Sequence, residues 1–205
     1  MYLIATFPSR HYDIDEYPSI KEYLLSFGKE RLEQTGKTHI VNGKSIKARK
    51  KTNNKWFETQ DSISYWEDFA KPKLVWAELA RTGNAFSVDF TNKMVGNTGY
   101  ILTVDENDDD TLYYLLGFLN SRVLLYCLNQ ITSRFDENGW RWLRQFVEQL
   151  RIPKELNFNT IVSIVKNTNR DNQKENSEEL NILVAKSYGL TEVEYTYINN
   201  LLTGY

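Results

Sequence analysis

The sequence predicts an α+β fold, with a mixed sheet in the N-terminal half, flanking helices, a long buried helix over 112–131 and a helical C-terminal portion. Three observations carry this. Strand-type runs fall in the first 104 residues, at 71–80, 85–90 and 100–104. A long apolar segment, Leu112 to Leu128, follows them. Segments with helical periodicity and capping signals then close the chain. At 205 residues, with 41% hydrophobic and 25% charged residues, the chain has the composition of a soluble globular protein able to bury a core.

Taken in order, Tyr2–Phe7 reads as a short strand and Pro8-Ser9-Arg10 as a turn. Pro18 suits the first turn of a helix, where its missing N–H costs little. Ile20, Tyr23, Leu24 and Phe27 follow at i, i+3, i+4 and i+7, one helical face ending before Gly36. Asn42-Gly43 between short apolar pieces signals a hairpin turn, with a mobile basic loop after it. Trp56, Phe57, Tyr65, Trp66 and Phe69 make an aromatic-rich, partly helical stretch. Leu74-Val75-Trp76 is a buried strand, entered at Pro72, which suits a strand's first residues. Arg81-Thr82-Gly83-Asn84 is turn chemistry, and 85–90 alternates as a half-buried strand does.

Trp140–Leu150 fits a strand or a short helix, and Asn159–Val165 a short helix. The polar run Asn167–Ser177 reads as a linker or exposed loop, followed by an amphipathic helix over Glu178–Tyr188 that stops at Gly189. Thr191-Glu192-Val193-Glu194 is a capping box opening the last helix. The expected organisation is a domain over 1–157 with a helical extension over 158–205 packed on it.

Catalytic chemistry has little purchase. An EF-hand loop starting at Asp105 needs Gly at its sixth place and Glu at its twelfth, but these are Asp110 and Leu116. The Asp105–Asp110 acids instead suit the N-terminus of the following helix. His11 and His39 have no His or Cys at ligand spacing, and no metal site is expected. Cys127, the single cysteine, sits in the apolar segment and reads as a buried inert thiol; disulfides are ruled out, which fits a cytoplasmic setting. Glu78 near Lys71 and Lys73 lacks the second carboxylate a metal-dependent nuclease wants. No phosphate-binding glycine loop or nucleophile elbow occurs. The apolar segment is interrupted by Asn120-Ser121-Arg122, which favours a core helix over a membrane span.

Charge is more telling. Lys37 to Phe57 holds seven Lys or Arg and no Asp or Glu. The net charge of −2 therefore divides into +7 on this segment and −9 on the rest. Unopposed cations mixed with Asn, Thr and Ser suit phosphate contacts, and Arg and Asn also read base edges.

Five landmarks in order carry a family resemblance: Tyr17-Pro18-Ser19-Ile20-Lys21-Glu22-Tyr23-Leu24, Lys71 to Leu79, Tyr114-Leu115-Leu116-Gly117-Phe118-Leu119-Asn120-Ser121, Leu150-Arg151-Ile152-Pro153, and Val184 to Glu194. Together they resemble the TaqI-like C-terminal specificity domain, the target recognition region of type IIG restriction–modification enzymes and related adenine-specific DNA methyltransferases. The resemblance implies sequence-specific recognition of double-stranded DNA, reading bases in the major groove. A methyltransferase, often with a nuclease, lies elsewhere in such enzymes, and S-adenosylmethionine and magnesium are expected there. The Asn-Pro-Pro-Tyr motif and the S-adenosylmethionine loop of the catalytic domain are absent from this sequence, so the expected role is recognition without catalysis. The chain is then expected to be a fragment of a longer enzyme or a separate specificity subunit. The competing reading is a protein-interaction module of a DNA-modification complex without base reading.

In such domains the recognising residues lie in loops between landmarks. The landmarks themselves read as scaffold, with Gly117 and Asn120-Ser121 allowing close packing inside a buried helix. The loops here are 37–56, 81–86, 92–97 and 133–144. The expected phosphate contacts are Lys44, Lys47, Lys50, Lys51 and Lys55, joined by Lys71 and Lys73 at the entrance of their strand. The expected base readers are Arg49, Arg81 and Asn84.

Overall fold

Strand-forming types at 73–77 place one strand at the centre of a sheet, and the two neighbours it acquires come from later in the chain. The computed structural model describes residues 3–202 except Thr82, Glu106, Asn107, Asn138 and Glu155. The fold is α+β, and the chain divides into two units, Met1–Trp66 and Glu67–Tyr205.

In the first unit, α1 (Pro18–Leu25) and α2 (Lys29–Leu32) are separated at Gly28, whose φ of 87° a side chain would oppose. The single helix expected up to Gly36 is thus broken. Its predicted apolar face is also open: Tyr23 and Phe27 are exposed and meet edge to face. Residues 3–7 form no strand. β1 (Thr38–Val41) and β2 (Lys44–Lys47) form the expected hairpin. Asn42 and Gly43 both take positive φ, 50° and 75°, which a two-residue turn matched to strand twist requires.

The second unit is built on β3 (Lys73–Ala77), which lies between β5 (Phe86–Asp89) and β6 (Gly99–Leu102), antiparallel to both. A second antiparallel sheet has β8 (Gly139–Arg141) between β4 (Leu79–Ala80) and β7 (Arg134–Asp136). Among the described residues the strands therefore form three small antiparallel sheets, one of them drawn partly from residues beyond 130. Trp76 ties the two sheets of this unit together. Its indole N–H donates to Trp142 O at 2.8 Å, and its ring lies against Tyr100 and Phe86 at 5.3 and 5.0 Å. Leu74, with no exposed surface, joins the same core, a burial worth about 1.5–3 kcal/mol.

The long helix expected over 112–131 is two helices, α3 (Asp109–Leu119) and α4 (Arg122–Ile131), meeting at 66°. Asn120 causes the break. Its side-chain amide donates to Phe86 O and accepts from Phe86 N, both at 3.0 Å, and so docks on β5 as an extra strand residue would. Ser121 then caps α4, accepting from Leu124 N. No single helix among the described residues is long and apolar enough to cross a membrane. Cys127 lies on the open side of α4 rather than in the core, because the buried face is Val123, Leu124, Leu125 and Leu128. Desolvation still pushes its thiol above the ordinary value.

Both readings of 140–150 hold in part: β8 is followed by α5 (Arg144–Val147). α6 (Phe158–Asn167), α7 (Gln173–Ser187) and α8 (Glu192–Leu201) complete the unit. The polar stretch before Ser177 is shortened, since α7 begins at Gln173 and continues through Glu178. Thr191 and Glu194 form the capping box of α8. α6 and α7 share a core with α3 and α4 around Phe118, Leu124, Ile161 and Val184.

Gly117 sets the approach of α3 to α6. A Cβ there would stand 2.8 Å from Ile161 Cγ2 and 3.1 Å from Val165 Cγ2. Gly117→Ala is expected to lower stability by about 1–3 kcal/mol through overpacking, despite alanine's better helix propensity. Chemical denaturation followed by tryptophan fluorescence reads this directly.

Candidate nucleic-acid interface

The basic segment of the first unit is held by polar clamps and is not the mobile loop its composition predicts. Arg49 Nε donates to Leu32 O at 2.7 Å, Nη1 to Glu58 O at 2.9 Å and Nη2 to Trp56 O at 2.6 Å. The buried Gln34 amide donates to Lys55 O and Glu58 O and accepts from Thr52 Oγ1. Asn54 Nδ2 donates to Thr59 O and Gln60 O. Glu58, also buried, accepts from Lys55 N at 2.6 Å. These side chains satisfy the loop's backbone groups where strand ladders do not. Arg49 is thus a structural clamp and not an open base reader. Partial desolvation lowers its pKa, yet a guanidinium stays charged.

The clamps leave the lysines outside. Lys44, Lys47, Lys50, Lys51 and Lys55 are all exposed. The hairpin register divides its residues between two faces. Thr38 pairs with Lys47 and Ile40 with Ser45, and all four side chains are exposed. His39, Val41 and Ile46 lie on the other face and are half-buried, with His39 Nε2 3.6 Å from Glu33 Oε2. His39, expected at the surface, therefore turns inward. Thr38, Ile40 and Ser45 were not among the sequence candidates. Their shared face follows from the two-residue Asn42-Gly43 turn, which makes Val41 and Lys44 partners and fixes every pair behind them.

In the second unit the candidates part company. Lys73 is fully buried, its ammonium 2.8 Å from Asp89 Oδ2 and donating to Phe69 O and Thr91 O, each at 2.8 Å. It is committed inside the fold and not presented to phosphate. Lys71 is exposed and pairs with Asp68 at 2.6 Å, which raises its pKa. Arg81 is exposed, held by Asp136 at 2.5 Å and lying over the Phe135 ring at 5.3 Å. Asn84 is exposed on the same loop. Glu78 faces Arg141, 3.9 Å away. Among the described residues no three His, Cys, Asp or Glu side chains gather as a metal site. Asp108 caps α3 by accepting from Thr111 N and Oγ1, hydrogen bonds that lower its pKa.

A protein-family model described as the TaqI-like C-terminal specificity domain matches residues 13–152. The chain belongs to this family. The match takes in the hairpin, the clamped basic segment, both sheets of the second unit, α3 and α4, and ends before α6. A specificity domain of this kind is a DNA-recognition part of restriction–modification enzymes and not a catalytic one. Two of the landmarks are scaffold: in the second, Lys73, Leu74 and Trp76 are buried in β3, and in the third Asn120 breaks the helix and docks on β5, while Gly117 admits α6.

Two expected outcomes follow from the clamps. Burial alone would raise the Asp89 carboxyl, but the Lys73 ammonium and the Thr91 N–H and O–H outweigh it and hold its pKa at about 2. Its stabilising contribution is present above the unfolded value of 3.8 and is lost as pH falls through about 2. Lys73→Met strands that carboxylate and should cost about 3–5 kcal/mol, most of it recovered in the Lys73→Met/Asp89→Leu pair. Urea titrations at pH 7 and pH 3 measure both effects. Arg49→Ala should destabilise the first unit by about 1.5–3 kcal/mol, seen as faster amide exchange between Lys50 and Glu58.

Proposed function

We propose that this chain recognises double-stranded DNA in a sequence-specific manner for a type IIG-like restriction–modification enzyme, positioning a methyltransferase or nuclease that lies elsewhere. The match of the specificity-domain family over residues 13–152 carries this reading. The first unit supports it with chemistry. Five exposed lysines project from a segment without a carboxylate, whose backbone is held by the Gln34, Arg49 and Asn54 side chains. Such an array neutralises phosphates and positions a protein on a duplex. Arg81, steadied by Asp136 and Phe135, keeps an exposed guanidinium in a set orientation, as bidentate guanine contact requires. On this reading S-adenosylmethionine and magnesium belong to the catalytic parts of the enzyme, and this chain binds neither.

One observation favours a second role. Val193, Tyr197 and Leu201 recur every four residues on α8 and are 80%, 60% and 48% exposed. This apolar stripe lies beyond the matched region and suits docking of a protein partner, the methyltransferase or nuclease part on the present reading.

Salt dependence tests the proposal. With about five phosphates neutralised, log K against log salt should fall with slope about −4.5. Replacing Lys47, Lys50 and Lys51 together by Ala should reduce the slope to about −1.8, since each phosphate contact contributes about −0.9. Absence of duplex binding at low salt would overturn the proposal, and an unchanged slope would remove these lysines from it.

A further inference from the structure

The lysines explain affinity for any duplex but not how bases are read. The β1–β2 hairpin offers a surface suited to reading. It is a two-stranded ribbon, and a B-DNA major groove about 12 Å wide admits such a ribbon. Its outer face carries Thr38 and Ile40 on one strand and Ser45 and Lys47 on the other, cross-paired and all exposed. Ile40 is 73% exposed, among the most open large apolar side chains of the described residues. An isoleucine this open gains little from burial, although its β-branched body suits a strand. Against a duplex it matches the thymine methyl, the apolar feature of the groove floor. Thr38 and Ser45 beside it supply hydroxyls that donate to or accept from either base edge.

Charge argues for the same occupant. Lys47 stands on this face, and Lys37, Lys50 and Lys51 lie where the strands begin and after they end, all exposed; Lys44, paired with Val41 beside the turn, belongs to the other face. Glu33, a carboxylate near the hairpin, faces His39 on the inner side. Apolar and hydroxyl groups in the middle with cations around them fit a groove floor flanked by phosphates. The base of the ribbon is rigid. Ala48 N donates to Lys37 O, Gly36 N to Arg49 O and Arg49 N to Glu33 O, so the hairpin is anchored to the clamped loop at 2.8–2.9 Å.

We propose that the outer face of the hairpin, Thr38, Ile40, Ser45 and Lys47, enters the major groove of duplex DNA and reads base edges, with Ile40 against a thymine methyl. This deepens the DNA-recognition reading and rests on it. It moves base reading in the first unit from Arg49, which is spent on carbonyls, to the ribbon.

The test uses the full chain carrying Cys127→Ser, with one cysteine introduced as Ser45→Cys on the ribbon or Ser19→Cys on α1, each bearing a benzophenone. Irradiation with random-sequence duplexes at low salt should cross-link the label at 45 and not at 19. A Thr38→Ala/Ile40→Ala/Ser45→Ala chain keeps the five exposed lysines, so the salt slope of its binding to random duplex should stay at about −4.5. Its preference for duplexes selected from that pool by the parent chain should fall by about tenfold or more, the size of one lost base contact. Cross-linking from 19 but not 45, or an unchanged preference in the triple variant, would overturn the ribbon and leave DNA recognition standing. No duplex binding by the parent chain would overturn both.

Discussion

The second unit depends on what β3 buries. Lys73, Leu74 and Trp76 are inside together, so the strand departs from simple alternation, and each side chain joins something distant in sequence. Trp76 bonds to Trp142 O, and Trp142 N bonds back to Glu78 O at 2.7 Å, which locks the two sheets together where β3 runs on into β4. The Lys73 ammonium draws Asp89 and the carbonyls of Phe69 and Thr91 around one buried charge. A buried ammonium is tolerated only with full pairing of this kind. The pairing fixes the β3–β5 end, and the β5 segment in turn receives Asn120 from the helix break. Sheet, helix bend and helical layer are thus linked through a few satisfied polar groups.

The first unit solves a different problem. It buries few large apolar side chains, among them Phe7, Ile14 and Phe57, and carries seven cations within a short stretch. Mutual repulsion and a small core would leave such a segment loose. Gln34, Arg49, Thr52, Asn54 and Glu58 replace hydrophobic packing with hydrogen bonds to main-chain groups. Hydrogen bonds from a guanidinium to carbonyls are stronger than neutral ones. The consequence for function is preorganisation. Lysines on a held backbone meet a duplex with less ordering cost than lysines on a disordered tail.

Local signals were the legible part. The Asn42-Gly43 turn, the Thr191–Glu194 capping box and the β3 strand depend on residues within a few positions of each other, and the structure has each of them; of the five family landmarks, the first four fall in or at the edge of the matched region, while Val184–Glu194 lies outside it. The broken helix shows where this stops. Leu112 to Leu128 reads as one apolar segment, and Asn120 looks tolerable within it until the β5 backbone is alongside to receive its amide. Cys127 looks buried because its neighbours are apolar, yet the turn of α4 puts it outside. Among the candidate contacts, Lys73 and Arg49 were chosen for charge, and charge alone does not say whether a cation faces solvent or carbonyls.

By itself, the sequence determined the α+β class, the family and the position of the cationic segment, because composition, turn chemistry and motif order are properties of short stretches. Only the tertiary structure decided which cations face solvent. Lys73 and Arg49 are satisfied by carbonyls and a carboxylate brought from elsewhere in the chain, while Lys44, Lys47, Lys50, Lys51 and Lys55 remain exposed. It also decided which face of the hairpin is open, since that depends on what packs beneath His39, Val41 and Ile46. Desolvation and pairing are long-range in sequence and short-range in space, so no local pattern encodes them.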